Sequence, residues 1–316
     1  MDIKFWGTRG SIPTSPAAST LKQKFRRLLE GAAGLDLTDQ AVLARYLERL
    51  PAELQYPIGG NTPCLEVRSG DQILILDAGS GLRLLGLDLM ARGFAGGGRR
   101  ADFLLTHTHW DHIQGFPFFR PAFVPGNQFT FYSPFADLAR RFEQQQQPDF
   151  FPVPFSYMSA TLEFKEIAEN QWRQIGNFRV YPTRMSHPGL TYGYRIEDNH
   201  SCLVLATDAE YKRVDPASTE CYVDFFREAD LLIFDAQYSF TEVLDRPDWG
   251  HSTAMMGAEL AHRAQVKRLA LFHHDPASSD EEIWTAREQA EAYLLRRTST
   301  HRCEVLVAYD GLSLEI

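Results

Sequence analysis

The chain has 316 residues, 44% hydrophobic and 23% charged, with 41 Asp and Glu against 32 Lys and Arg for a formal net charge of −9. That balance excludes a disordered chain, a collagen-like fibre and a small disulfide scaffold, and the acidic excess without a basic stripe argues against long nucleic acid as a partner. No apolar run approaches the roughly 18 residues of a membrane span, and Met1-Asp2-Ile3-Lys4-Phe5-Trp6 lacks a signal-peptide layout, so a soluble cytoplasmic protein with no membrane partner is expected.

The first predicted elements are two amphipathic helices between residues 19 and 50. Leu21, Phe25, Leu28 and Leu29 share one stripe of the first, and Val42, Leu43, Tyr46, Leu47 and Leu50 one stripe of the second. Pro13, Pro16, Pro51 and Pro57 flank them, which marks an insertion at about 17–56 in a single domain spanning 1–316. Such helices would either cover a cleft or build a homodimer interface.

An alternating strand at 64–68 turns at Ser69-Gly70-Asp71 and returns as Ile73-Leu74-Ile75-Leu76, apolar on both faces as a central strand is. Phe116, Phe118, Phe119, Phe123, Phe129 and Phe131 follow, and 150–155 adds a second aromatic segment; core packing is the expected use, base stacking the alternative. Gly176-Asn177 and Asp198-Asn199 read as hairpin turns, joining 172–175 to 178–181 and 192–196 to 202–206. Further strands are expected at 231–234, 269–272, 304–308 and 312–316.

A helix at 253–265 carries Ala254, Gly257, Ala258 and Ala261 at three-to-four spacing. Another, at 280–297, opens behind Ser278 and Ser279 with Glu281 and Glu282 three places on, a capping-box pattern. Cys64, Cys202, Cys221 and Cys303 have no paired spacing and read as thiols rather than disulfides or metal ligands.

The richest chemistry lies in Leu104-Leu105-Thr106-His107-Thr108-His109-Trp110-Asp111-His112. Three imidazoles and a carboxylate fall within six positions of a chain that has only 10 His, which chance does not readily produce. A strand points His107 and His109 to one side, and a turn into a helix brings Asp111 and His112 round to face a neighbouring point. Imidazole with carboxylate suits zinc, and also manganese or iron; without cysteine the site is not a closed structural finger. One loop cannot complete two metal spheres. His187, Asp208, His273 and His274 each stand where an apolar strand gives out, which is where open α/β sheets gather ligands.

His107, His109, Asp111 and His112 meet a His-x-His-x-Asp-His signature without substitution, and in this the sequence resembles the metallo-β-lactamase fold superfamily. Its later ligand motifs look like those at His187, Asp208 and His273, and Asp77 in Leu74-Ile75-Leu76-Asp77-Ala78-Gly79 is similar to its strand-end aspartate behind the ligand loop. The resemblance covers nearly the whole chain outside the insertion. It implies an α/β fold of four layers, an αββα sandwich, carrying two divalent metal ions, zinc first and manganese or iron next. By that pattern His107, His109 and His187 would bind one ion, Asp111, His112 and His273 the other, and Asp208 would bridge them. Aligning 271–276 on the family's last motif favours His273 over His274.

Gly250-His251-Ser252-Thr253, about twenty residues before the last ligand, is similar to the motif of the tRNA 3′-processing endonuclease and phosphodiesterase branch. Asp235 stands where that branch often has Glu. The resemblance implies a catalytic His251 held by Asp235, with Asp111 also able to take a proton, while Ser252 and Thr253 would cap the helix or meet substrate.

The opening Phe5-Trp6-Gly7-Thr8-Arg9-Gly10-Ser11-Ile12-Pro13, with Gly59-Gly60-Asn61-Thr62-Pro63-Cys64, resembles stand-alone bacterial members. There Arg9 would either present a fork to a phosphate, beside Asn61, or serve a structural salt bridge. No Gly-rich basic arm of the kind that grips tRNA is visible. The expected activity is therefore a dinuclear metal-dependent phosphodiesterase acting on a small phosphodiester such as a cyclic nucleotide. Hydrolysis of another ester (lactone, thioester, sulfate ester) and RNA-processing endonuclease activity are the alternatives.

Overall fold

Apolar residues that alternate along short segments bury one face of each strand on a second sheet and the other on helices, and this chain repeats that solution twice. The computed structural model describes residues 1–211, 215–297 and 303–316. One sheet contains β1 (Asp2–Gly7), β2 (Cys64–Ser69), β3 (Gln72–Leu76), β4 (Arg100–Leu104), β5 (Gln128–Ser133) and β6 (Thr161–Glu166), adjacent in that order, with β14 (Ser313–Glu315) outside β1. The other runs β7 (Arg173–Ile175), β8 (Phe178–Met185), β9 (Thr191–Glu197), β10 (Cys202–Ala206), β11 (Leu231–Asp235), β12 (Arg268–Phe272) and β13 (Glu304–Val307).

Each sheet is antiparallel at one end and parallel at the other: β3 to β6 are parallel in the first, β10 to β13 in the second. The three expected hairpins form, pairing Leu65 with Leu76, Ile175 with Phe178 and Tyr194 with Leu205.

The alternation is explicit in the second sheet. Leu203, Leu205, Leu231, Ile233, Ala270 and Phe272 face the first sheet, while Val204, Leu232, Phe234, Leu269 and Leu271 join Ala258, Leu260, Ala261, Ala290 and Leu294 of the helices Ala254–Arg263 and Asp280–Arg297. Leu82, Leu85 and Leu89 of helix Leu82–Ala91 pack with the first sheet. The result is the expected αββα layering. Each fully buried Leu, Ile, Val or Phe among them contributes about 1.5–3 kcal/mol. Phe116, Phe119, Phe129 and Phe131 are fully buried in this core and not offered to a ligand; Phe103 stacks on Phe131 at 4.4 Å.

Both long helices start as the sequence indicates. Ser279 and Glu282 form a reciprocal capping box, and the Thr253 hydroxyl accepts the Met256 N–H at 3.1 Å. All four cysteines are free thiols; Cys64, Cys202 and Cys303 are buried and Cys221 is exposed. No described helix is long and apolar enough to cross a membrane.

The insertion holds the helices Ala18–Gly31, Gln40–Glu48 and Ala52–Gln55, none with a buried residue. Lys24 pairs with Asp280 and Arg27 with Glu281, and Tyr56 stacks on Tyr309, so the insertion leans on the start of helix Asp280–Arg297. Its apolar stripe points away from that contact: Phe25 and Leu29 are 59% and 71% exposed.

Candidate metal centre

Parallel strands deliver the chemistry at their carboxyl ends. Asp77 follows β3, His107 to His112 follow β4, Asp208 follows β10, Asp235 ends β11 and His273 follows β12. Three of these turn sharply, because Asp77, Asp208 and His273 take φ of 60°, 53° and 60°, the left-handed region that non-glycine residues enter at a cost. At His273 the turn sends successive side chains to different places. His273 joins the cluster, whereas the His274 Nε2–H donates to the Ala308 carbonyl at 2.9 Å. Burial, then Arg9, pushes the pKa of His274 down to about 3.

Two groups of side chains converge, each with donor atoms within 4.8 Å of one another: His107, His109, His187 and Asp208, and Asp111, His112, Asp208 and His273. Asp208 belongs to both. Its Oδ2 lies 3.5 Å from His107 Nε2 and 3.8 Å from His187 Nε2, and its Oδ1 lies 3.3 Å from both His112 Nε2 and His273 Nε2. In the second group His112 Nε2 and His273 Nε2 face each other at 3.2 Å, and Asp111 Oδ2 is 3.2 Å from His273 Nε2.

These residues fit a pair of divalent ions. His107 Nε2 is buried with no hydrogen-bond partner, an expensive state that a cation would relieve. The separations are those of ligand atoms sharing an ion, since bonds of about 2.1 Å in a tetrahedron put ligands about 3.4 Å apart. All the donors are imidazole nitrogen or carboxylate oxygen.

The outer contacts are equally specific. Asp77 Oδ1 accepts the Thr106 N–H at 2.8 Å, and its Oδ2 lies 2.8 Å from His112 Nδ1. His187 Nδ1 faces the Gly250 carbonyl at 2.8 Å; Gly250 has φ 83°, and a Cβ there would sit 2.2 Å from that same nitrogen. The Ser11 N–H donates to Asp111 Oδ2 at 2.7 Å.

Burial and the neighbouring charges compete in the electrostatics. Burial lowers the pKa of His107, His109 and His187. Burial also works against charge on Asp111 and Asp208, but the surrounding imidazoles outweigh it and hold both carboxyls below their usual range. For His112 burial is outweighed by Asp208, Asp111 and Asp77, which raise its pKa.

His251 stands at the edge of the cluster, its ring 5.1 Å from that of His273 and 5.2 Å from that of His187. Its Nδ1 is 2.8 Å from Asp235 Oδ2, so aspartate is long enough for the pairing. Burial opposes a charge there, yet Asp235 prevails and raises the imidazole to about 9. The backbone N–H groups of Ala209 and Gln237 fix Asp235 in turn.

The residues expected on substrate have other partners. Arg9 is 6% exposed and spends its guanidinium on the carbonyls of Gly59, Asp275 and Ser278 and on Asp280, so its structural alternative describes the geometry. Asn61 is held between Asp310 and Ser80. Thr253 caps its helix, and Ser252 is buried with its carbonyl accepting the Tyr238 N–H. A loop's chain reversals decide these contacts, and composition does not encode them. Thr106, Ser11 and Gly250 were missed because they act through backbone atoms or a hydroxyl; their only signal was adjacency to the recognised motifs.

A family model described as the beta-lactamase superfamily domain matches residues 75–274. Ribonuclease Z of Archaeoglobus fulgidus is 25% identical over 307 residues, covering 81% of this chain and 92% of that protein. Among solved structures, the metallo-beta-lactamase fold protein YhfI from Bacillus subtilis superposes with TM-score 0.64 at 18% identity, covering 99% of this chain and 98% of that one. A diphosphatase from the PhnP family superposes with TM-score 0.60 at 18% identity, covering 100% of this chain and 97% of that one.

Proposed function

The chain belongs to the beta-lactamase superfamily, and on that footing we propose that it is a dinuclear metal phosphodiesterase whose substrate is a small phosphodiester such as a cyclic nucleotide. The observation that carries the reading is the division of one buried carboxylate, Asp208, between two sets of imidazoles. His107, His109 and His187 hold one ion in this reading, and Asp111, His112 and His273 the other. Zinc is the first choice for such donors, manganese or iron the next.

When bound, the ions lower the pKa of water and polarise a phosphoryl oxygen. The chain's own groups supply the rest. Asp111 accepts a proton from the attacking water. His251, oriented by Asp235, protonates the departing alkoxide and offsets charge on the phosphoryl oxygens.

Support for a small substrate is the net charge of −9 and the lack of a Gly-rich basic arm. Processing of RNA is the second reading, favoured by the ribonuclease Z relative. Turnover of bis-p-nitrophenyl phosphate and of cyclic mono- and dinucleotides, measured beside cleavage of a precursor tRNA, separates them. The expected result is turnover of a small ester at the higher kcat/KM; faster cleavage of the precursor would replace the first reading with the second, and turnover confined to lactones or thioesters would remove both.

Asp77 supports the metal loop without reaching an ion in this reading. Asp77→Ala is expected to weaken metal binding by about 10–100-fold while leaving the ligand count unchanged. Chelator competition on the purified variant checks this; wild-type affinity would make Asp77 a packing residue only.

A further inference from the structure

Four of the six imidazoles of the cleft have an outer nitrogen held in place: His112 by Asp77, His187 by the Gly250 carbonyl, His251 by Asp235, and His107 beside the Thr106 hydroxyl at 3.1 Å, while His109 is exposed to solvent. His273 departs from this pattern. Its Nε2 faces Asp111 and Asp208, yet its Nδ1 is buried with no hydrogen-bond partner. Gln237 Oε1 is also buried and unpartnered, on a residue 5% exposed.

The two atoms lie against one spot. A Cβ built on Gly10 would stand 2.5 Å from His273 Nδ1 and 2.7 Å from Gln237 Oε1. An imidazole that turns Nε2 toward a cation carries its proton on Nδ1, so His273 would present a buried donor beside a buried acceptor.

We propose that Gln237 is the positioning residue of His273, its Oε1 accepting the Nδ1–H once an ion fixes that tautomer, an approach that the absence of a side chain at Gly10 permits. This rests on the metal-site reading above and deepens it. The same side chain reaches further: Gln237 Nε2 donates to Ser11 Oγ at 3.3 Å, and the Ser11 N–H donates to Asp111 Oδ2 at 2.7 Å. Its own backbone N–H donates to Asp235 Oδ1 at 3.0 Å. Gln237 thus links, from behind, an imidazole and a carboxylate of one group to the carboxylate that orients His251.

The test is Zn²⁺ affinity at each site of the full metal-free chain, by chelator competition, for wild type, Gln237→Met and Gln237→Glu. Methionine keeps the length and removes both polar atoms, whereas glutamate keeps an acceptor. The expected result is a site at Asp111, His112 and His273 weakened about 10–100-fold by methionine and largely restored by glutamate, with the other site unchanged. Co²⁺ absorption bands report the same site without substrate.

Gln237→Asn keeps the amide and withdraws its oxygen by one methylene, so it is expected to weaken the same site and keeps the test available if Gln237→Met does not fold. Wild-type affinity at both sites in Gln237→Met, or equal weakening of both, overturns the proposal. A wild-type chain that binds no Zn²⁺ would instead overturn the metal reading itself.

Discussion

Replacing Asp208 with alanine is expected to strip both cations from the protein and abolish turnover. The reason is geometric: Oδ2 faces His107 and His187, Oδ1 faces His112 and His273, and the Thr207 hydroxyl fixes Oδ1 at 2.8 Å. No other carboxylate among the described residues belongs to both groups. Removing it takes a ligand and a negative charge from each. Affinity should fall at both sites by more than the roughly 10–100-fold typical of an outer partner. Metal content per chain after gel filtration, with circular dichroism to verify folding, checks the result; a folded variant that keeps one ion would show that Asp208 serves a single site.

Substituting His251 with alanine is expected to separate chemistry from metal binding. Its Nδ1 is committed to Asp235 and its ring lies at the edge of the cluster. As a proton donor it should cost about 10²–10⁴-fold in kcat, with both ions retained. Asp235→Asn should reproduce part of that loss, because the imidazole keeps its place without its charged partner. The same side chains form a third group, Asp235, His251 and His273, with donor atoms within 4.8 Å. A variant that loses an ion along with turnover would therefore make His251 a ligand.

Much of this centre was legible because its densest part is local. His107, His109, Asp111 and His112 lie within one turn after a strand, so their types and spacing carry the chemistry before any fold is known. The later members of the cluster each stand just past an apolar run; Asp208 and His273 lie beyond the carboxyl ends of parallel strands, whereas His187 follows the antiparallel β8. His273 against His274 was harder: strand alternation does not distinguish neighbours once a residue with φ 60° reverses the chain, and only a family pattern favoured the one that joins the cluster.

Arg9 illustrates the opposite limit. Its sequence neighbourhood suits a phosphate, but its donors are claimed by three carbonyls and an aspartate brought from far along the chain. The insertion shows a third. Its helices were readable from periodicity, but in the stripe of Leu21, Phe25, Leu28 and Leu29 none is buried and Phe25 and Leu29 are largely exposed, while charge pairs and Tyr56, set against Trp284 and Tyr309, fasten the insertion.

An anomalous difference map from crystals of the enzyme grown with Zn²⁺, recorded at the zinc edge, tests the dinuclear assignment most directly. It should reveal two peaks, one among His107, His109 and His187 and one among Asp111, His112 and His273, on opposite oxygens of Asp208. A fully active preparation with no peak there, or with a single peak remote from Asp208, would contradict it.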